Sequence, residues 1–296
     1  MKLLLTGGTG YIGRHFLSNI SNKIDIVYVL HRNKKPSFLK AFKTHQVEFI
    51  EQHELEKILI NEHINAIVHF ATFYGDDNKD DKKEIHQSNV VFPTNLLNLA
   101  IKNNVNCFIN TDTFFAKKCY DLGYKSLYTE SKREFENILK NKSNQINVVN
   151  MRLEHVYGPN DNPKKFVGWL SNQFKNNSIH DINLSECLQK RDFIYVLDVV
   201  SAYMAVVHNI DKLDNFSEFQ IGTGEAIKVR NFVEILKIEY EKKITKEKKV
   251  NFKPEFNRPG EIMHSVANIE NNSLINWKPK YRLNEGIADL VCKELG

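Results

Sequence analysis

The first thirteen residues constrain the fold of this chain more than any other segment. The apolar residues 3–5 predict a short buried strand, and residues 14–17 predict the start of a helix. Between them stands the segment Thr6-Gly-Gly-Thr-Gly-Tyr-Ile-Gly13. A glycine turn between a strand and a helix directs free backbone N–H groups and the positive end of the helix dipole towards an anion. The segment therefore predicts a pyrophosphate site.

Three glycines of this turn have separate tasks. They follow the spacing Gly-x-x-Gly-x-x-Gly, at positions 7, 10 and 13. We expect Gly7 to make the tight turn, Gly10 to let a pyrophosphate approach the backbone, and Gly13 to let the helix lie close to the strand. These are the tasks that a dinucleotide-binding turn requires.

Segments with strand and helix character alternate over the first half of the chain. This alternation predicts an α/β fold with a doubly wound parallel sheet, in which the ligand lies at the carboxyl ends of the strands. After residues 3–5, the β-rich runs that predict further strands are 25–30, 46–50, 65–72, 107–109 and the run that begins at 146. The segments with helical periodicity between them are 55–60, 85–103 and 128–139.

Composition narrows the class of protein. The 296 residues are 42% apolar and 26% charged, which is typical of a soluble globular protein, and no apolar run approaches the length of a membrane span. The net charge of +5 is spread along the chain, so it suits a small anionic substrate and does not indicate nucleic-acid binding. Four widely spaced cysteines predict reduced thiols in a cytoplasmic protein, and we expect no metal site.

The end of the second predicted strand bears on the choice of cofactor. A carboxylate at this position holds the ribose hydroxyls of NAD and repels a 2′-phosphate. Here the strand ends in His31-Arg-Asn-Lys-Lys35, without a carboxylate, and Arg32 can place its guanidinium on a 2′-phosphate. We therefore predict NADP(H) in preference to NAD. The alternative is that this basic run is only a solvated loop.

A second constellation follows the fifth predicted strand. Thr111 stands at the strand end, and Tyr128 and Lys132, four residues apart, share one face of a predicted helix. A phenol with a pKa of about 10 transfers protons poorly at neutral pH, and a neighbouring ammonium lowers that pKa. The same ammonium can hold the ribose hydroxyls of a nicotinamide, and Thr111 can orient a substrate oxygen. These side chains predict catalysis of hydride transfer at a carbonyl carbon.

The glycine turn and the Tyr128–Lys132 pair together resemble the extended short-chain dehydrogenase/reductase (NAD-dependent epimerase/dehydratase) family, over nearly the whole chain. The resemblance implies a Rossmann domain at residues 1–152, onto which 192–210 pack back, and a smaller α/β nucleotide-sugar-binding lobe at 153–296. It also implies a homodimer formed through the helices at 85–103 and 125–139. The predicted cofactor contacts are Thr6, Gly7, Gly10, Tyr11, Ile12, Gly13, Arg32, Phe70, Ala71, Thr72, Asn89, Tyr128, Lys132 and Leu153.

Motifs in the second half of the chain extend this resemblance. Residues 152–159 are similar to the family's Arg-x-x-Asn-x-Tyr-Gly-Pro, with His155 in place of the asparagine. Residues 191–198 resemble Arg-Asp-Phe-x-Tyr-Val-x-Asp, whose arginine points at the nucleotide diphosphate. Residues 258–261 are similar to a motif whose arginine meets the diphosphate or the ribose. The substrate contacts that the resemblance implies are Thr113, His155, Arg191 and Arg258.

The residues at the end of the fifth strand distinguish activities within the family. Nucleotide-sugar 4,6-dehydratases carry Thr-Asp-Glu, whose acidic residues serve water elimination, whereas this chain has Thr111-Asp112-Thr113. The form Asn110-Thr-Asp-Thr113 resembles the CDP-abequose and CDP-paratose synthases, which reduce 4-keto nucleotide sugars. The resemblance therefore implies NADPH-dependent reduction of the C4 ketone of a nucleotide-linked 4-keto-6-deoxyhexose, for cell-surface polysaccharides such as O-antigen.

Two alternatives remain at this point. A redox-neutral nucleotide-sugar 4-epimerase would use the same residues with a retained NAD, and a non-catalytic NADP-binding regulator would share the fold. An exchangeable NADPH favours net reduction, and the intact Thr111, Tyr128 and Lys132 argue against a regulator. The residues alone leave open the nucleotide base, the stereochemistry at C4, and the roles of Asp112 and His155.

Overall fold

The computed structural model of the chain describes residues 1–31, 46–75, 81–120, 125–244 and 247–296. They form two units. The first unit consists of Met1–Leu153, Val200–Gln220 and Asn271–Trp277. The second unit consists of Glu154–Val199, Ile221–Glu270 and Lys278–Gly296. The assignment of a cofactor to one lobe and of a nucleotide sugar to the other stays a prediction.

The described residues form the following strands and α-helices. The strands are β1 (Lys2–Thr6), β2 (Ile26–His31), β3 (Val47–Glu51), β4 (Ala66–His69), β5 (Cys107–Thr113), β6 (Asn147–Leu153), β7 (His155–Tyr157), β8 (Asp181–Leu184), β9 (Lys190–Arg191), β10 (Phe193–Tyr195), β11 (Phe216–Ile221), β12 (Ile227–Lys228) and β13 (Lys249–Phe252). The α-helices are α1 (Tyr11–Leu17), α2 (Leu55–Asn61), α3 (Asp81–His86), α4 (Phe92–Lys102), α5 (Ser126–Lys142), α6 (Phe166–Lys175), α7 (Val196–Asn209), α8 (Val229–Glu241) and α9 (Leu283–Leu295).

A seven-stranded sheet is the centre of the first unit, in the order β11-β6-β5-β4-β1-β2-β3. The strands from β6 to β3 in this order all pair in parallel with their neighbours. The chain order reverses between β1 and β4, which is the switch point where a doubly wound sheet opens a crevice at the carboxyl ends of its strands. The predicted α/β fold with a doubly wound parallel sheet is confirmed.

Burial on both faces of the sheet explains why its strands are almost wholly apolar. Leu3, Leu4 and Leu5 follow one another along β1, so they point to alternate faces, and none of them is exposed to solvent. On one face Leu4 belongs to a core cluster that also contains Phe108 of β5 and Phe135 of α5. The central strands are therefore held by packing on two sides, and their carboxyl ends are fixed in place.

Several elements differ in extent from the sequence prediction, and two of these differences lie close to the predicted site. The fifth strand, predicted over 107–109, continues to Thr113, because residues 110–113 pair in register with β6. The long helix predicted at 85–103 is divided into α3, a π-helical segment Gln87–Val91, and α4. Pro93 lies in the first turn of α4 and has no N–H to donate, so a regular α-helix cannot continue through this point unchanged.

The second unit contains three short strand pairs, which are β7 with β10, β8 with β13, and β9 with β12. Aromatic side chains fill its core: the rings of Phe193 and Phe232 stack with centroids 4.1 Å apart, and those of Phe174 and Tyr240 stack at 5.2 Å. Asp192 is fully buried and accepts hydrogen bonds from the backbone of the turn at Thr223. In the described part of the chain, no helix is both long and apolar enough to cross a membrane.

Candidate active site

The turn after β1 can be formed only by glycine at two of its positions. Gly7 has a φ of +69°, and a Cβ atom there would lie 2.5 Å from the backbone nitrogen of Ala71. A Cβ atom at Gly13 would lie 2.3 Å from the carbonyl oxygen of Gly7. Gly10 closes the turn with a hydrogen bond from its N–H to Gly7 O, at 2.9 Å. The turn therefore holds α1 close against the ends of β1 and β4.

Thr6 joins this turn to the exit of β4. Its Oγ1 lies 2.7 Å from His69 Nδ1 and accepts a hydrogen bond from the Ala71 N–H at 3.3 Å. Burial, assisted by the charge of Lys132, lowers the pKa of His69 to about 3, so this imidazole is neutral. Phe70, between them, packs edge-on against Phe16 of α1. The predicted cofactor residues of β1 and β4 are thus fixed to one another by uncharged contacts.

Asn89 connects the exit of β4 to α5. It is 2% exposed and lies in the π-helical segment, a feature that often occurs at functional sites. Its Oδ1 accepts hydrogen bonds from Thr72 Oγ1 and Phe73 N, and its Nδ2 donates to Phe73 O and to Ser131 Oγ, all at 2.8–3.1 Å. Ser131 in turn donates to the Tyr128 carbonyl. One amide therefore sets the position of α5 relative to the β4 exit.

The hydroxyl of Tyr128 lies among other hydroxyl groups. Tyr128 is 7% exposed, and its hydroxyl is hydrogen-bonded to the side chains of Thr72 and Thr113. Because Thr72 donates its own proton to Asn89, its oxygen is left to accept the Tyr128 proton. Thr113 is then the group that can donate to the phenol oxygen. The Tyr74 ring packs on the Tyr128 ring, with centroids 4.8 Å apart.

Lys132 is held by the backbone of β5. Its Nζ donates to the carbonyl oxygen of Thr111 at 2.9 Å and lies 5.9 Å from the centroid of the Tyr128 ring. Burial lowers the pKa of Lys132 to about 8, and the charge of Asp112 opposes this shift. Burial also raises the pKa of Tyr128 above its usual value. This differs from the expectation that Lys132 lowers that pKa. Desolvation of the buried phenol is the largest cause, and the charge of Asp112 acts in the same direction.

The hydroxyls of Thr111 and Thr113 have different partners in the structure. Thr111, expected to orient the substrate oxygen, has its Oγ1 2.7 Å from the hydroxyl of Tyr203 on α7. Thr113, expected only as a substrate contact, is bonded to Tyr128 instead. Tyr203 is fully buried, and its ring packs edge-on against Phe70. Sequence reasoning missed Tyr203, because it lies 92 residues from Thr111 in no recognisable motif.

The remaining predicted cofactor residues lie at the start of α1, at the end of β6 and after β2. Tyr11 and Ile12 begin α1 and are half-buried. Leu153 is buried at the end of β6, in register with Thr113. Arg32, on which the NADP(H) prediction depends, lies outside the described residues.

The predicted substrate residues of the second unit lie in different surroundings. Arg191 is 4% exposed and donates to the Lys190 carbonyl at 2.9 Å and to Glu261 Oε1 at 3.3 Å. His155 packs edge-on against Phe193, and burial, with the charges of Arg191 and Lys165, lowers its pKa to about 3. His155 is therefore neutral. Arg258 is exposed to solvent.

The fold and the geometry of the site together indicate a class of enzyme. The chain has a doubly wound sheet, a glycine turn after β1 and a buried Tyr128–Lys132 pair beside the end of β5. This combination is typical of Rossmann-fold enzymes of the short-chain dehydrogenase/reductase type. The model of the NAD dependent epimerase/dehydratase family matches residues 3–222, and the chain belongs to this family. Members of the family bind a nicotinamide dinucleotide.

Individual relatives cover almost the whole chain. CDP-abequose synthase of Salmonella muenchen is 32% identical over 295 residues, which are 98% of this chain and 97% of the relative. Among solved structures, a UDP-glucose 4-epimerase with UDP-glucose from Thermotoga maritima matches with a TM-score of 0.81 at 23% identity, covering 99% of this chain and 98% of that one. A UDP-glucose 4-epimerase complex with NAD from Thermus thermophilus matches with a TM-score of 0.79 at 22% identity, covering 100% and 99%. These two structures support the fold.

Proposed function

We propose that this enzyme reduces the C4 ketone of a nucleotide-linked 4-keto-6-deoxyhexose with NADPH, in the synthesis of sugars for cell-surface polysaccharides. The observation that carries the proposal is the Tyr128 hydroxyl, which is buried, protonated at neutral pH and bonded to Thr113. Thr113 stands where dehydratases carry a glutamate, so the site offers a proton donor without an acid–base pair for water elimination. A reductase needs only that donor.

The glycine turn fits the pyrophosphate of a dinucleotide. Gly7 and Gly13 admit no side chain, and Gly10 is exposed at the beginning of α1, where a phosphate can approach the backbone. When bound, the nicotinamide supplies the hydride that C4 receives. The preference for NADP(H) is supported by the sequence after β2, where Arg32 follows His31 and no carboxylate is present.

The proton that the reduction requires comes from a side chain of this protein. As the C4 carbon receives a hydride, the ketone oxygen receives the proton of Tyr128, and together they form a secondary alcohol. Tyr128 is left as a phenolate, which the Lys132 ammonium and a hydrogen bond from Thr113 stabilise. A proton from solvent then restores Tyr128. Thr111 supports this step through its carbonyl, which holds Lys132, while its hydroxyl is held by Tyr203.

The choice of substrate is supported by the curated relative. CDP-abequose synthase, at 32% identity over nearly both chains, makes a CDP-linked sugar the first candidate. In the second unit we propose Arg191, His155 and Arg258 as contacts to the nucleotide sugar. A guanidinium suits the diphosphate because it can form two parallel hydrogen bonds to its oxygens. A homodimer through the region of α4 and α5 stays a prediction, which sedimentation velocity tests.

The experiment that tests the proposal follows the absorbance of the reduced nicotinamide. Purified enzyme is mixed with NADPH or NADH and with 4-keto-6-deoxy sugars linked to CDP, dTDP, GDP or UDP. We expect NADPH to be consumed in proportion to one of these sugars, and Tyr128→Phe to abolish the reaction. Tyr240→Phe is the matched control, because it removes another buried tyrosine hydroxyl, on α8 of the second unit.

One alternative activity uses the same side chains. A redox-neutral 4-epimerase would also need Tyr128 and Lys132, and a solved structure with this fold is a UDP-glucose 4-epimerase complex with NAD. Tightly retained NAD in the purified protein, together with no loss of NADPH on any sugar, would overturn the reductase and favour the epimerase. Binding of NADPH without turnover of any sugar would instead favour a regulator.

A further inference from the structure

Asp112 lies on the opposite face of β5 from Thr111 and Thr113, because side chains alternate along a strand. It is 3% exposed and stands in register with Arg152 of β6. Its Oδ2 accepts hydrogen bonds from Asn150 Nδ2 at 3.0 Å and from Arg152 Nε at 2.9 Å. Within the described residues, its Oδ1 accepts none. The carboxylate is thus held through one oxygen by Asn150 and Arg152, and its charge acts on Tyr128 as well, whose pKa it helps to raise.

Arg152 joins Asp112 to two further carboxylates. Its Nη1 donates to Glu218 Oε1 at 2.9 Å, and its Nη2 lies 3.0 Å from Glu136 Oε2. Glu136 is also paired with Lys140, one turn further along α5. This cluster therefore contains three carboxylates and two cations, which leaves one negative charge in excess. Buried charge of this kind acts strongly on neighbouring groups, because water does not screen it.

One end of the cluster is exposed to solvent, and the other end is buried. A cleft of about 320 Å³ is lined by side chains that include Glu136, Lys140, Arg152 and Glu218. The Glu218 side chain is 27% exposed, whereas that of Asp112 is 1% exposed. Solvent therefore reaches the Glu218 end, and the field of Asp112 acts through the protein interior.

Lys132 is the cation that this field reaches. Its Nζ is bonded to the carbonyl of Thr111, the residue before Asp112, and Glu136 lies one turn further along the same helix. Lys132 is 4% exposed. Among the described groups near it, His69 of β4 is neutral and Tyr128 is protonated. The Asp112 carboxylate, which follows directly after the carbonyl that holds Lys132, favours the ammonium form.

We propose that Asp112 is a positioning residue of the reaction: held by Asn150 and Arg152, its carboxylate keeps Lys132 charged without touching the substrate. The proposal rests on the proposed function for its catalytic meaning: a charged Lys132 stabilises the Tyr128 phenolate, and this opposes the direct effect of Asp112, which raises the pKa of Tyr128. The charge of Lys132 itself is measured without any substrate, so failure of the two proposals can be distinguished.

The test is a titration of Lys132 by NMR. The protein is labelled with ¹³C-lysine, and the Lys132 Cε signal is assigned by its absence in Lys132→Met. We expect a midpoint near pH 8 in the wild type. In Asp112→Asn we expect the midpoint to fall by about 1 pH unit, because an opposite charge nearby has been removed. If turnover is detected, the alkaline limb of the kcat profile falls by the same amount.

Glu218→Gln is the matched control. It removes a carboxylate that is paired with the same Arg152, but at the solvent-exposed end of the cluster. We therefore expect the midpoint of the Lys132 titration not to change. Asp112→Asn keeps a side-chain oxygen that can accept the hydrogen bond from Arg152. It also leaves two carboxylates and two cations in the cluster, so their charges balance. We therefore expect this variant to fold. Asp112→Ser removes the same charge with a smaller side chain and serves as a second variant.

The outcomes separate the proposal from a purely structural role. An unchanged or higher Lys132 midpoint in the folded neutral variants would overturn it, as would an equal fall in Glu218→Gln. Failure of both Asp112 variants to fold would also overturn it, because Asp112 would then be needed only for the fold. A fall confined to the Asp112 variants, in a protein that turns over none of the sugars, would support the electrostatic role and reject only the proposed reaction.

Discussion

The two regions proposed to bind ligands hold their polar groups differently. Around Tyr128 the side chains of Thr72, Asn89 and Ser131 are joined by uncharged hydrogen bonds. In the second unit Arg191 is paired with the Glu261 carboxylate at 3.3 Å. The first region is preorganised for chemistry, whereas in the second an incoming diphosphate has to compete with a carboxylate for the guanidinium. We therefore expect variants in the first region to change kcat, and variants at the ion pair to change KM.

Lys132→Met tests the first region with the largest expected effect. The variant removes the ammonium that stabilises the Tyr128 phenolate, and we expect kcat to fall by about 10²- to 10⁴-fold, with KM for the sugar nearly unchanged. Steady-state kinetics with NADPH measure both. Lys102→Met, on the exposed face of α4, is the control and should keep kcat. A rise in KM without a fall in kcat would show that Lys132 binds substrate and is not catalytic.

Asn89→Ala breaks the link between the β4 exit and α5. It leaves the partly buried backbone groups of Phe73 without their partner, and we expect the free energy of unfolding to fall by about 2–4 kcal/mol. Because Thr72 and Ser131 also lose their partner, we expect kcat to fall by about tenfold. Urea denaturation and steady-state kinetics measure the two effects. Asn103→Ala, whose amide donates to the Leu99 carbonyl of its own helix, should lower stability far less.

Local patterns made the scaffold of this site predictable. The apolar run of β1, the glycine spacing and the four-residue separation of Tyr128 and Lys132 are all short-range, so they could be read without knowing the fold. The handedness of the connections limits the possible strand orders. It does not fix the point at which the chain reverses, which the structure has between β1 and β4.

Long-range contacts made the hydroxyl partners unpredictable. Which threonine meets Tyr128 depends on how far β5 continues, and pairing with β6 extends it to Thr113. Tyr203 meets Thr111 only because α7 packs there, and its own helix carries no pattern that marks it. The pKa of Tyr128 depends on burial, which sequence spacing does not give.

Tyr203→Phe also tests the first region, and its expected effect on kcat is smaller. It keeps the ring that packs on Phe70 but removes the hydrogen bond to Thr111, whose carbonyl holds Lys132. We expect kcat to fall by about three- to tenfold with KM unchanged, since one buried hydrogen bond contributes about 1 kcal/mol. Tyr28→Phe, which loses a bond to Glu62 on the other side of the sheet, is the kinetic control. An unchanged kcat would mean that the Thr111 hydroxyl needs no partner.

Glu261→Gln tests the second region and has the smallest expected effect. Gln189 Nε2 also donates to Glu261, so the neutral amide keeps an acceptor in place while it releases the Arg191 charge. We expect KM for the nucleotide sugar to fall by about two- to fivefold with kcat unchanged, because a partly exposed ion pair contributes up to about 1 kcal/mol. The exposed Glu255, changed to glutamine, controls for loss of a negative charge nearby along the chain. A higher KM in Glu261→Gln would mean that the carboxylate orients Arg191 for the diphosphate and does not compete with it, and the two regions would then be preorganised alike.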